Sequence, residues 1–260
     1  MSLKTKFESI LNTARKAFKR LHEKGNYIPS DLKKEPAYQQ LLGETNDLFD
    51  FAVSDNVMSD TMAKALRNDV FLFSGLKTHA QLFEASRLLL DDAGNIKPFH
   101  TFSADIESIN NNFNKTYLSA EYEFAINSSQ MAGKWSEFND SNRYALQYRT
   151  ANDSRVRDSH AKLNGITLPK SDSFWSSYYA PNGWNCRCTV TEVIANDYEV
   201  SDNQKATKLG EEATTQLGKD GKNKLAIFRF NPGKDKVIFP PSHPYSKVAG
   251  AKKVIQDLKK

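Results

Sequence analysis

Three side chains able to bind a metal or act as nucleophiles stand near one another in this sequence: His160, Cys186 and Cys188. The two cysteines are the only ones in 260 residues, one residue apart in PNGWNCRC, residues 181–188. On a strand both thiols would point to one face, because side chains alternate along extended chain. Their Cα atoms would then lie roughly 6.5 Å apart, at the outer limit for a disulfide. A metal that takes two sulfurs at about 2.3 Å each tolerates that spacing better. Ahead of them, Asp153, Arg157 and His160 are spaced i, i+4, i+7 and share one face if that segment is helical. An acid, a base and a histidine would converge on the thiols. Zinc is the metal for such a set, with His160, Cys186, Cys188 and Asp153 as candidate ligands. The spacing departs from the C-x2-C pairs of common zinc sites, and Asp153, Asp158 and the distant His243 are all weak fourth ligands. A second reading stays open: His160 hydrogen-bonds within a packed corner and the cysteines are small buried residues.

Other chemistry finds less support. No nucleophile signature accompanies the cysteines, and His160 is followed by Ala161-Lys162, which breaks the H-x-E pattern of zinc deaminases. The Walker, G-x-G-x-x-G, G-x-S-x-G and H-E-x-x-H motifs are absent from the sequence. Arg149, Arg155, Arg157 and Arg187 could clamp phosphate or carboxylate, or pair with Asp153, Asp158 and Asp172 to stiffen a loop-rich unit. The chain is therefore not expected to be an enzyme, with a metal-dependent hydrolase kept as an alternative.

The elements that must position these residues read as an α+β chain. Phe7, Ile10, Leu11, Ala14, Phe18 and Leu21 recur at helical spacing, and Gly25 marks a stop. Ser59 caps a short helix carrying Met62 and Leu66, and Thr78 with Gln81 reads as a capping box for another that runs to Leu90. Residues 92–95 turn the chain. One long helix is expected from Ser103 to about Trp135. Tyr144, Leu146 and Tyr148 alternate as in a strand; Asn152 or Asp153 caps a short helix ending near Asn164-Gly165; residues 188–193 suggest another strand. Residues 197–224 look like a polar, mobile connector. Leu225 to Phe230 and Val237 to Phe239 flank Asn231-Pro232-Gly233-Lys234, which predicts a β-hairpin. The fold expected is a mainly helical N-terminal half with a long helix, then a small mixed α/β module with short strands and a hairpin.

Composition bounds the function. With 39% hydrophobic and 26% charged residues the chain is a folded protein. It has no apolar run of membrane-spanning length, so no membrane partner is expected. Two cysteines suit a reducing compartment. The net charge of +5 is uneven. Residues 1–40 carry 9 bases and 4 acids, residues 41–200 carry 14 and 21, and residues 201–260 carry 13 and 6. Basic ends on an acidic middle suggest a polyanion or an acidic protein surface as partner.

The run from Tyr148 to Cys188 resembles the phage Mu protein F-like head morphogenesis family. The resemblance rests on Tyr148-Arg149-Thr150, on Asp153, Arg155, Val156, Arg157 and His160, on Leu163-x-Gly165, on Phe174-Trp175, and on Pro181-Asn182-Gly183-Trp184-Asn185-Cys186-Arg187-Cys188. The stretch FRFNPGKDKVIFPPSHPY also resembles an ending found in that family. It covers about residues 140–245; Ala180 departs where members often have a second proline. Three regions are expected: 1–140 as a helical portal- or capsid-interacting part, which fits the family only loosely, 141–245 as the motif-bearing module that carries the resemblance, and 246–260 as a tail read as basic from its lysines. The resemblance implies a minor head protein of a tailed phage or prophage, acting by protein–protein binding near the portal in procapsid morphogenesis. Portal, capsid or scaffold proteins would be its partners. It would be made in the host bacterial cytoplasm and end in the virion. A DNA-binding protein of the head interior, touching double-stranded DNA during packaging or delivery, is the alternative.

Overall fold

Helix formation begins where the sequence places its first apolar stripe. α1 (Leu3–Lys24) buries Ile10, Ala14, Ala17, Phe18 and Leu21 along one face. Ser2 caps it by accepting from the Thr5 N–H, and Gly25 ends it at φ 76°, a left-handed turn open to a residue without Cβ. The computed structural model describes residues 2–54 and 56–259. After α1 come α2 (Pro36–Ser54), α3 (Asp60–Ser86), α4 (Phe99–Asp105), α5 (Glu107–Asn111), a π-helical stretch (Asn112–Tyr117) and α6 (Leu118–Glu137). Then follow β1 (Tyr144–Arg149), α7 (Asp158–Ala161), β2 (Thr167–Leu168), α8 (Phe174–Tyr178), β3 (Thr189–Ile194), α9 (Asn203–Ala213), α10 (Pro232–Asp235) and α11 (Ala251–Leu258). The class is α+β, as the sequence predicts, and no described helix is long and apolar enough to cross a membrane.

The chain divides into two compact units. One comprises Met1–Phe51, Asn68–Tyr122 and Ser242–Lys260; the other comprises Ala52–Arg67 and Glu123–Pro241. In the first, a fully buried lysine organises the polar core. Lys77 Nζ lies 2.7 Å from Glu121 Oε2 and donates to the Phe113 carbonyl at 2.5 Å, while the Tyr245 hydroxyl donates to Glu121 Oε1 at 2.7 Å. The π-helical stretch supplies that carbonyl: widening the helix by one residue leaves a backbone acceptor for another partner. The Tyr245 ring stacks on Phe113 with centroids 5.6 Å apart, so this core also holds the chain's C-terminal segment.

The second unit is built on an antiparallel sheet of order β2-β1-β3. Leu146 pairs with Leu168 on one side and Glu192 on the other; Tyr148 pairs with Val190. Its core gathers Met131, Leu146, Tyr148, Leu163, Trp175, Tyr179, the two cysteines and Val190. Two helices need close approach at a glycine. A Cβ on Gly210 would sit 2.5 Å from the Tyr178 ring, and one on Gly233 would overlap Trp135 Cβ.

Several local expectations are corrected. The predicted hairpin at 225–239 does not form. Ala226–Phe228 is a 3-10 turn, and Asn231 caps α10, its Oδ1 accepting from the Gly233 and Lys234 N–H groups at 3.0 and 2.9 Å. Asn-Pro-Gly serves equally as a helix start, because Pro suits the first helical position. The flanking Phe228 and Phe239 instead pack on Phe124, at 5.4 and 6.5 Å between centroids. Thr78 and Gln81 cap nothing: both are fully buried inside α3, where Thr78 donates to the Ser74 carbonyl. Ser59 does cap that helix, accepting from the Met62 N–H, but the helix runs 27 residues. The long helix is segmented, with a break at Ile106 and the π-helical stretch. The supposed connector contains α9, capped by Asp202, and a bridge between Leu217 and Asn223.

Buried histidines make the first unit acid-sensitive. Burial, then Lys77 and Lys247, lowers His243 to a pKa of about 3. The Tyr245 N–H donates to its Nδ1 at 3.3 Å, which requires that nitrogen unprotonated. Burial lowers His79 as well. The unfolded chain takes up these protons near the free-histidine value of about 6.5. Stability is therefore full above that value and falls as pH drops toward the folded values, by up to about 1.4 kcal/mol per pH unit for each group. Urea titrations across this window should give a shallower slope for His243→Asn than for the parent chain; equal slopes would assign the proton uptake to other groups.

Candidate functional site

β1 brings Tyr148 to the centre of the second unit, α7 brings His160, and the turn ahead of β3 brings Cys186 and Cys188. The Sγ atoms of Cys186 and Cys188 lie 3.5 and 3.8 Å from His160 Nδ1. All three side chains are buried, and their ligand atoms lie within 4.8 Å of one another. The thiols converge although neither cysteine is on the strand, which starts at Thr189. The turn does the aiming. Asn185 adopts φ 57°, the left-handed conformation that asparagine tolerates better than most residues, and the Cys186 N–H returns to the Gly183 carbonyl at 3.2 Å. The Asn127 side chain holds the Cys186 carbonyl at 3.0 Å.

Around these residues the motif closes on itself. The Tyr148 hydroxyl donates to Asn182 Oδ1 at 2.7 Å, and Asn182 Nδ2 donates to the Tyr179 carbonyl. The Gly165 N–H donates to the Tyr148 carbonyl, with Gly165 at φ 85°. Arg157 donates to the Trp184 carbonyl at 2.6 Å, its guanidinium beside Gly183. Arg187 holds Asp153 through two bonds of 2.7 and 2.6 Å. Trp184 packs edge-on against Phe124 and Phe228, each at 5.0 Å, and Trp175 Nε1 donates to the Pro169 carbonyl. Pro181 follows a cis peptide bond.

Asp153 does not join the thiols and histidine. Residues 153–157 are not helical; α7 spans only Asp158–Ala161, so Asp153, Arg157 and His160 share no helix face. Asp153 instead accepts from the Arg155 N–H and clamps Arg187, which holds its carboxyl well below the usual carboxylate range. Of the expected arginine pairs, those of Arg187 and Arg155 with Asp153 form, the second at 3.7 Å. Asp172 instead accepts from the Phe174 N–H and from Asn203. Arg149 lies on the exposed end of β1. His243 belongs to the first unit. Among the described residues the metal-competent group is His160, Cys186 and Cys188.

The electrostatics set the two thiols apart. Hydrogen bonding from Cys188 drives the Cys186 thiol down, against burial and with help from His160. Cys188, the donor, is pushed up, by that bond first and burial second. Burial and the two cysteines raise Tyr148 far above the ordinary phenol. Tyr148 and Asn182 were not apparent as partners in the sequence; 34 residues separate them, and only the fold joins them. Asn127, and Met131, whose sulfur accepts from the Val190 N–H at 3.3 Å, are likewise joined to the site only by the fold.

Residues 97–191 match the family model described as Phage Mu protein F like protein. The match takes in the helices before the motif and stops short of the 228–245 stretch. The chain is 30% identical over 113 residues to "Putative capsid assembly protein F" of Escherichia phage Mu, covering 42% of this chain and 23% of that one. It is 46% identical over 44 residues to "Mu-like prophage FluMu F protein" of Haemophilus influenzae, covering 17% of this chain and 11% of that one. The chain thus spans under a quarter of the length of these curated relatives. No solved structure matches it.

The Tyr148–Asn182 bond tests whether the motif acts as one unit. Asn182→Ala leaves a buried phenol without its acceptor and should cost about 1–3 kcal/mol in urea unfolding. Combined with Tyr148→Phe the losses should be less than additive, as for residues in direct contact. Additive losses would mean the bond contributes little.

Proposed function

We propose, from the match of residues 97–191 to the phage Mu protein F-like family, that this chain is a minor head protein acting in procapsid assembly by binding other proteins. The observation that carries the reading is that the segment matching the family model contains the buried motif, in a chain that is also similar to a relative named for capsid assembly. Tyr148, Trp175, Asn182, Cys186 and Cys188 all face inward. The motif therefore builds a rigid module and leaves its outer surface to partners, as suits an assembly component. The partners are portal, capsid or scaffold proteins, met near the portal vertex. The protein is made in the host bacterial cytoplasm and ends in the virion.

The uneven charge favours a second reading, contact with double-stranded DNA inside the head. Residues 201–260 carry 13 bases against 6 acids, and residues 1–40 carry 9 against 4. Tagged protein expressed with the rest of its phage should co-purify with portal and procapsids, and deletion of its gene should abolish infectious heads. Intact infectious heads without it would overturn the assembly role. On a DNA column, retention that falls steeply with salt would support the second reading, and its absence would remove it.

A further inference from the structure

His160 is buried in an unusual way for a histidine that merely packs. Its Nδ1 faces only the two sulfurs, and its Nε2 is buried with no hydrogen-bond partner among the described residues. His79 in the same chain shows how a structural histidine is satisfied: Nδ1 meets the Tyr27 hydroxyl at 2.8 Å and Nε2 meets the Ala249 carbonyl at 3.0 Å. Two weak contacts to sulfur are poor compensation for taking an imidazole out of water. A bond from Nδ1 to a metal would replace the two weak sulfur contacts with a strong one and leave the proton on Nε2.

The distances suit one. With metal–sulfur bonds of about 2.3 Å and metal–nitrogen bonds of about 2.05 Å at tetrahedral angles, sulfur and nitrogen sit roughly 3.6 Å apart. The observed separations are 3.5 and 3.8 Å. Two soft thiolates and one imidazole select zinc over the oxygen-seeking cations. A small cleft of about 20 Å³ opens beside the three ligands, lined also by Arg155, Arg157 and Asn185. That is room for about one water. Asp153, the remaining acid of the motif, is already held by Arg187.

We propose that His160 Nδ1, Cys186 Sγ and Cys188 Sγ bind one zinc ion, with a water from the adjacent cleft in the fourth position. Binding displaces the thiol protons to solvent and leaves two thiolates and one divalent ion, a centre of zero net charge that suits burial. The metal ties the turn at 181–188 to α7 and fixes the motif at its centre. The proposal stands independently of the role in head assembly.

The test uses the full chain, purified under reductant and without chelator, then supplied with excess zinc and desalted. Elemental analysis should find about one zinc per chain, falling at least about tenfold in His160→Ala, Cys186→Ser and Cys188→Ser. Asp153→Asn should keep its zinc; loss there would put a carboxylate in the fourth position and overturn the water ligand. Because serine at a buried thiol can unfold the module, cobalt(II) is titrated into the unmutated protein as well. A thiolate-to-cobalt charge-transfer band with intense tetrahedral d–d bands is expected, abolished by one equivalent of zinc. Folded parent protein that retains under about a tenth of an equivalent and gives no such bands would overturn the site. So would a Cys186–Cys188 disulfide persisting under reductant.

Discussion

An imidazole pressed between two sulfurs in the core of a small sheet is the constraint to which the rest of the second unit answers. His160 can reach Cys186 and Cys188 only if residues 181–188 double back, and that reversal needs the left-handed Asn185. The reversed turn must then be held from outside. Arg157 takes the Trp184 carbonyl, Asp153 takes Arg187, and Asn127 takes the carbonyl of Cys186. Trp184 is driven between Phe124 and Phe228. Each of these contacts fixes a residue next to a thiol, so the geometry of three buried ligand atoms is set by side chains drawn from α6, β1, α7 and the loops.

The first unit solves a related problem with different chemistry. Its buried ion pair, Lys77 with Glu121, has the phenol of Tyr245 and the carbonyl of Phe113 to complete its hydrogen bonds. A buried charge pair contributes little net stability but is costly to leave half-made. The consequence is specificity of arrangement: the π-helical stretch and the C-terminal segment are held to positions where these polar atoms meet. The two units thus share a principle. Buried polar groups, each needing a partner, decide which of many apolar packings is adopted.

The motif residues divide by burial in a way that bears on function. Tyr148, Trp175, Asn182 and the cysteines face inward, whereas Arg155 and Arg149 face outward. The inward set explains why the pattern is specific as a whole and weak in its parts: each member has its role only when the others are in place.

The sequence by itself determined the α+β class, the stripe and the C-terminal stop of α1, the strands around Tyr148 and Val190, and the grouping of His160 with Cys186 and Cys188. These follow from local periodicity, from caps within three or four residues, and from side-chain chemistry, none of which needs the rest of the chain. Only the tertiary structure decided that Asn231-Pro232-Gly233 starts a helix instead of turning a hairpin, that Thr78 lies buried in α3, and that Asp153 serves Arg187 and not the thiols. In each case one local pattern serves two backbones equally well, and the choice falls to partners far off in sequence. Phe124 and Trp184 draw in Phe228, and Arg187 claims the carboxylate from 34 residues away. Such distant contacts leave no spacing to read, because the fold and not the chain sets the distance between them.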